Sequence, residues 1–319
     1  MLLPNMTFAL AFALLLAVHS ASAEQRLEAL EDFLIPIHVT ANIYYFKGSI
    51  NQRTYENQGF NLNTGFVVTD AGVVVIDTGP SFPVARGIEA AIATVTEQPV
   101  VAVINTGSQD HRWLGNGYFA DQDIPIITSY RTVRTQQEHS AGQVLRLREI
   151  LGTAFGDTRP VHASNPVTED HHRFTVGSTK FELIYGGDAH FPGDVMVWLP
   201  QHRVVFSGDI VYLDRLTGIH PWSSVLGLQQ AFHTLEALDP EIVVPGHGYI
   251  SDLAQARTQT GDYYDFLIEE IETSLENWED LGTTVDRLAD APQFRELLHY
   301  EFWHRVNVNH SYLQLETTP

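Results

Sequence analysis

From about residue 35 the chain alternates between short, densely apolar runs and longer stretches with apolar residues three or four apart. "FNLNTGFVVT" and "GVVVIDTG" are β-branched runs joined at Asp70-Ala71-Gly72, a combination that predicts a hairpin. The spacing from Pro83 to Val95 predicts a helix, and "PVVAVINTG" returns as a buried strand. "HRFTVGSTKFELIY" predicts a second hairpin around Gly177-Ser178, and "DVMVWLPQHRVVFSGD" a third that turns at Pro200-Gln201. A helical stretch, "LGLQQAFHTLEAL", then leads to the short strand of "EIVVPGHG". Each half holds a hairpin that ends in aspartate, Asp77 in the first and Asp209 in the second. An α/β protein with two sheets packed face to face and helices outside accounts for this pattern.

After about Ile250 the period changes. "YYDFLIEEIETSLENWEDLG" puts Tyr264, Leu267, Ile271, Leu275 and Trp278 on one helical face, and "FRELLHYEFWHRV" reads as a further helix. The expected division is a leader over residues 1–23, a main domain over 24–255 and a C-terminal helical extension over 256–319 packed on the core. The leader rests on the apolar run Phe8 to Val18, the small residues "ASA" at Ala21 to Ala23 and the lack of charged side chains before Glu24. That run is too short to span a bilayer and has the form of a secretory signal cleaved after Ala23. The expectation is a periplasmic or secreted protein with no membrane attachment after cleavage.

Composition narrows the chemistry. The chain has no cysteine, which excludes disulfides and thiolate ligands, so any metal must be held by histidine and carboxylate. The net charge of −21 repels phosphate backbones and anionic headgroups. Nucleic acid and membrane are therefore not expected partners. A small-molecule substrate is.

Four separated pieces carry candidate chemistry: "SQDH" ending at His111, "GGDAHFPGD" with His190, "VVFSGD" with Asp209 and "VVPGHG" with His247. Each lies at or near the end of a buried β-run, where sites are commonly assembled on a rigid scaffold. Aspartate and neutral imidazole suit zinc, and also iron or manganese.

In this order and spacing the pieces resemble the metallo-β-lactamase-fold superfamily over roughly Ile35 to Ile250. The resemblance implies a four-layer αβ/βα sandwich. It casts Asp77 in "GVVVIDTG" as a support for the metal loop and "DHRWLGN" as the end of the family's His-x-His-x-Asp-His loop. His190 falls on the third histidine of site one, Asp209 on the bridging aspartate of glyoxalase-II-like hydrolases and His247 on the last histidine of site two. The chain departs from the pattern at Thr106 and Ser108, which stand where the first two histidines belong. Site one then keeps His190, while site two keeps Asp110, His111 and His247 with Asp209 close by, a ligand set for one zinc-like ion. "NTGSQDHRWLGN" and "HRVNVNHSYLQLE" are further similar to periplasmic zinc metallohydrolases linked to sulfur oxidation or quinoprotein relay systems.

The resemblance implies an exported metal-dependent hydrolase of an ester, thioester or amide. Asp110 or Asp209 would accept a proton from the ion's water, and His190 would steady the oxyanion or act as acid. Its rival is a non-catalytic metal- or ligand-binding protein on the same fold. Of the other histidines, His139, His171 and His172 read as solvated, and His220 in "TGIHPW" as a residue of the pocket rim. His299, His304 and His310 fall in the acidic tail. Intact-mass analysis of the exported protein should give a chain that begins at Glu24, and a mature chain still starting at Met1 would overturn the leader assignment.

Overall fold

The computed structural model describes residues 28–317, so the expected leader lies outside the described residues. The first sheet comprises β1 (Ile37–Thr40), β2 (Ile43–Phe46), β3 (Thr64–Thr69), β4 (Gly72–Ile76), β5 (Val100–Ile104) and β6 (Ile126–Ile127), hydrogen-bonded in that order. The second comprises β7 (His171–Val176), β8 (Thr179–Ile184), β9 (Met196–Leu199), β10 (Val204–Phe206) and β11 (Ile242–Val244), ordered β11-β10-β9-β8-β7. The three predicted hairpins are present as the antiparallel pairs β3–β4, β7–β8 and β9–β10. The pairs β4–β5 and β10–β11 are parallel.

Helices α1 (Phe82–Ile92), α2 (Asp110–Trp113), α3 (Asn116–Ala120) and α4 (Tyr130–Leu151) belong to the first half. Helix α5 (Val225–Ala237) precedes β11, and α6 (Leu253–Ala256), α7 (Asp262–Glu276), α8 (Leu281–Arg287) and α9 (Tyr300–Glu316) follow it. Caps set two starts: Ser81 accepts from the Val84 N–H and Ser224 from the Gly227 N–H.

Successive strand residues face opposite sides of a sheet, which explains why β4 is apolar at every position. Val74 and Ile76 face the second sheet and join Phe181, Val197, Leu199, Val204 and Phe206 in one core. Val73 and Val75 face outward and pack with Val84, Ala85 and Ile88 of α1. On the far side, Trp198, Val205 and Val243 pack with Leu228 and Phe232 of α5, Leu267 and Ile271 of α7 and Val308 of α9. The expected four layers, helices–sheet–sheet–helices, are therefore present, with the C-terminal helices in the outer layer of the second sheet.

The helical face read from the sequence runs one residue too far. Tyr264, Leu267 and Ile271 are buried, but α7 ends at Glu276 and Trp278 is 94% exposed in a left-handed conformation. The chain reverses there to reach Asp280, which caps α8 through the Thr283 N–H.

Gly65 in β3 packs directly against Phe206 of the second sheet. An added Cβ would lie 2.3 Å from the Phe206 ring, and β3 cannot move without disturbing its ladders to β2 and β4. Gly65→Ala should destabilise the fold by about 1–3 kcal/mol, as overpacking does. A lowered urea midpoint is the expected reading; an unchanged one would show that the sheets can part at this point.

Candidate metal centre

Both parallel strand pairs end at the same edge of the sandwich, and the site lies there. Asp77 follows β4, with a φ of 62° that non-glycine residues seldom adopt. Its carboxylate accepts from the Thr106 N–H at 2.8 Å and the Thr106 hydroxyl at 2.6 Å, so it supports the loop after β5 as expected. That loop leads into α2, whose four residues, Asp110 to Trp113, are all buried. Asp209 follows β10 and His247 follows β11. The "PGHG" loop is pinned from the first sheet by Asn63, whose amide donates to the carbonyls of Pro245 at 2.9 Å and Gly248 at 2.8 Å.

Three of the expected ligands come together. Asp209 Oδ2 lies 3.3 Å from His111 Nε2, and Oδ1 lies 3.2 Å from His247 Nε2. Their donor atoms are all within 4.8 Å of one another, and all three residues are buried. Asp110 is placed otherwise. Its carboxylate is taken by Arg53 Nη1 at 2.6 Å, Arg146 Nη2 at 3.0 Å and the His111 N–H at 2.9 Å, and it does not join the triad. Burial opposes its ionisation, but Arg53, His111 and Arg146 hold it below the usual carboxylate range. His190 lines the same pocket, with Nε2 at 3.3 Å from Tyr212 Oη, and its Nδ1 is buried without a partner.

Arg112, 1% exposed, organises the floor of the site. Its Nε and Nη2 donate to the two oxygens of Asp209 at 2.7 and 2.5 Å, and Nη1 donates to Asp77 at 2.7 Å. Burial would raise the Asp209 carboxyl, but Arg112, with hydrogen bonds from His111 and His247, holds it far below its ordinary value. Gly246 makes room for this arrangement, since a Cβ there would sit 2.6 Å from Arg112 Nη2.

The donor set fits one divalent ion. Burial pulls His111 down to about 4 and His247 to about 3, so both imidazoles are neutral at pH 7, as ligation requires. Three protein donors with an open side is the form of a catalytic zinc site. Two contacts work against loading: Arg112 already donates to both oxygens of Asp209, and Arg53 Nη2 lies 2.6 Å from His111 Nδ1. A guanidinium can only donate, so Nδ1 accepts and the ring proton sits on Nε2, facing Asp209. An ion takes that position only as Arg53 releases Nδ1. His247 has no such lock, because its Nδ1 is without a partner. Of the two hydroxyl residues in the loop before Asp110, Thr106 spends its hydroxyl on Asp77, and Ser108 offers a neutral, buried hydroxyl.

The triad opens into a cavity of about 250 Å³ lined by Arg53, Arg146, His190, Tyr212, Arg215, His220 and Trp303, among others. His220 thus lies in the pocket wall, where the sequence put it. Trp303 comes from α9, so the C-terminal extension helps to build the pocket. His139 is half-buried against Phe191 and Trp222 rather than solvated. Arg112, Arg53, Arg146, Tyr212 and Arg215 escaped the sequence reading. Arg112 alone carried a local signal, as an arginine directly after the recognised Asp-His pair.

This architecture and triad define a metallohydrolase-type sandwich. Residues 58–247 match the model of the Metallo-beta-lactamase superfamily, more than half of the chain, and the protein belongs to that superfamily. It is 22% identical over 225 residues to metallo-beta-lactamase IND-1 of Chryseobacterium indologenes, covering 68% of this chain and 83% of that one. Among solved structures, a metallo-beta-lactamase from Pontibacter korlensis aligns with a TM-score of 0.59 at 20% identity, over 72% of this chain and 98% of that one. The inverting sec-alkylsulfatase Pisa1 from Pseudomonas sp. aligns with a TM-score of 0.71 at 15% identity, over 88% of this chain and 50% of that one.

Replacing Arg112 by alanine leaves two buried carboxylates without their cation. Arg112→Ala should cost about 3–5 kcal/mol in chemical denaturation, the range for breaking a buried ion pair from one side. A loss below about 1 kcal/mol, the scale of an exposed pair, would show that Asp77 and Asp209 do not depend on it.

Proposed function

We propose that this protein is a hydrolase of a small-molecule ester, thioester or amide that works with one divalent ion, zinc by donor type, at His111, Asp209 and His247. The observation that carries the reading is the convergence of these donors at a pocket that His190 and Tyr212 also line. When bound, the ion would polarise the scissile carbonyl and lower the pKa of a water. The leader-like N-terminus favours work outside the cytoplasm.

The protein's own groups divide the remaining work. Asp209 and Asp110 are poor bases, because guanidinium groups hold both below the ordinary carboxylate range. His190 is a weak base as well: burial, with the neighbouring His220, lowers its pKa well below 6.5, so it stays neutral, and its part is to steady the oxyanion by hydrogen bonding through a ring nitrogen that has no other partner. Burial, reinforced by Asp209, raises the Tyr212 phenol, which stays protonated and can donate to an oxyanion. Tyr212 stacks on His247 at 4.5 Å, which fixes the orientation of both rings.

A non-catalytic binding role has one observation in its favour, the Arg53 contact that satisfies His111 in the absence of an ion. Zinc titration of chelator-treated protein, followed by assay on 4-nitrophenyl esters and acyl thioesters, separates the readings. The hydrolase should take up one tight equivalent and gain turnover with it. His247→Ala should lose the ion, whereas His190→Ala should keep it and lose at least tenfold in kcat. Two tight equivalents, or an ion that survives loss of His247 but not of His190, would overturn the assignment; one bound ion without turnover would favour the binding protein.

A further inference from the structure

Arg215 lies in the pocket wall, 7% exposed, and uses little of its hydrogen-bonding capacity. Nη1 donates to the Ile50 carbonyl at 3.2 Å, while Nε is buried without a partner. The Tyr212 ring, 5.7 Å from the guanidinium carbon, gives it a weak π contact. No carboxylate pairs with it among the described residues, although the sequence holds 39 acidic residues against 18 lysines and arginines. The other buried arginine of the site, Arg112, is matched by two carboxylates. A buried cation with no counter-ion weakens a fold unless something outside the chain compensates it.

Its surroundings add to the imbalance. Arg53 and Arg146 line the same cavity and share the single carboxylate of Asp110. Three guanidiniums thus face the pocket with one carboxylate among them, in a protein whose net charge is −21. The outer surface repels anions, while the pocket attracts them. Its volume of about 250 Å³ admits a small molecule and no macromolecule. Gln52, Asn61 and Gln109 supply neutral hydrogen-bonding groups along the same lining.

We propose that the pocket recognises small organic oxyanions and that Arg215 is the binding residue for the anionic group. Guanidinium presents a planar fork that matches an oxyanion's paired acceptors, which an ammonium does not. Combined with the hydrolase reading, on which this last step rests, the substrate is a small acid that carries its negative group apart from the scissile bond. Recognition of the anion itself needs no ion at the triad.

The test is calorimetric titration of chelator-treated, full-length protein with butanoate, butanesulfonate and neutral butanamide. The anions should bind at least tenfold more tightly than butanamide, and added salt should weaken them. A preference for butanoate or butanesulfonate tells a carboxylate site from a sulfonate site. Arg215→Gln should lose at least tenfold in anion affinity with a melting temperature unchanged or raised, since an uncompensated buried charge has been removed. Arg215→Lys, which keeps the charge but not the fork, should fall between, and serves if the glutamine variant does not fold. Exposed Arg134→Gln should bind as wild type. Anions that bind no better than butanamide, or a folded Arg215→Gln or Arg215→Lys with wild-type affinity, would overturn the proposal. Anion binding that persists in a protein without esterase or thioesterase activity would remove the hydrolase reading and leave Arg215 its role.

Discussion

The guanidinium of Arg112 is the constraint on which the rest of the site depends. It follows the loop after β5 in the first sheet, yet it binds both oxygens of Asp209 at the end of β10 in the second, and it reaches back to Asp77 at the end of β4. Two aspartates from opposite halves of the chain are bound by one cation at the end of the interface between the sheets. The apolar core between the sheets brings them together, but it is non-directional and does not set where their ends lie. The three-pronged ion pair does, and His111 and His247 take their positions on Asp209 from it.

The same residue shows how charge is managed here. The surface carries a large excess of carboxylates, while the site is rich in guanidiniums. Arg112 pairs with both Asp77 and Asp209, Arg53 and Arg146 share Asp110, and among the described residues Arg215 stands without a carboxylate. Net charge describes the field felt far from the protein, whereas a ligand in a cavity responds to the few charges that line it. The acidic composition excludes polyanions from the surface without making the pocket hostile to a small anion.

The loop after β5 makes sense in the same terms. Thr106 gives both its N–H and its hydroxyl to Asp77 and so serves as a structural support of the loop. Ser108 contributes through its backbone, where its carbonyl accepts from Trp113 Nε1 and Gln143 Nε2. These bonds hold the loop in shape.

The sequence by itself determined the layers, the hairpins and the ends of the strands on which the site stands, because hydrophobic period and turn residues act locally. It also determined that His111, Asp209 and His247 converge, because each follows a buried run in a recognisable order. What the sequence could not decide was how the charged side chains would pair. Asp110 reads as a ligand in its motif, yet a loop arginine some sixty residues earlier and a helical arginine claim it. Arg53 and Arg215 sit in stretches with no periodic or motif signal, and Trp303 reaches the pocket from the far end of the chain. Long charged side chains are placed by whichever opposite charge the fold brings within reach, and that is a property of the tertiary structure alone.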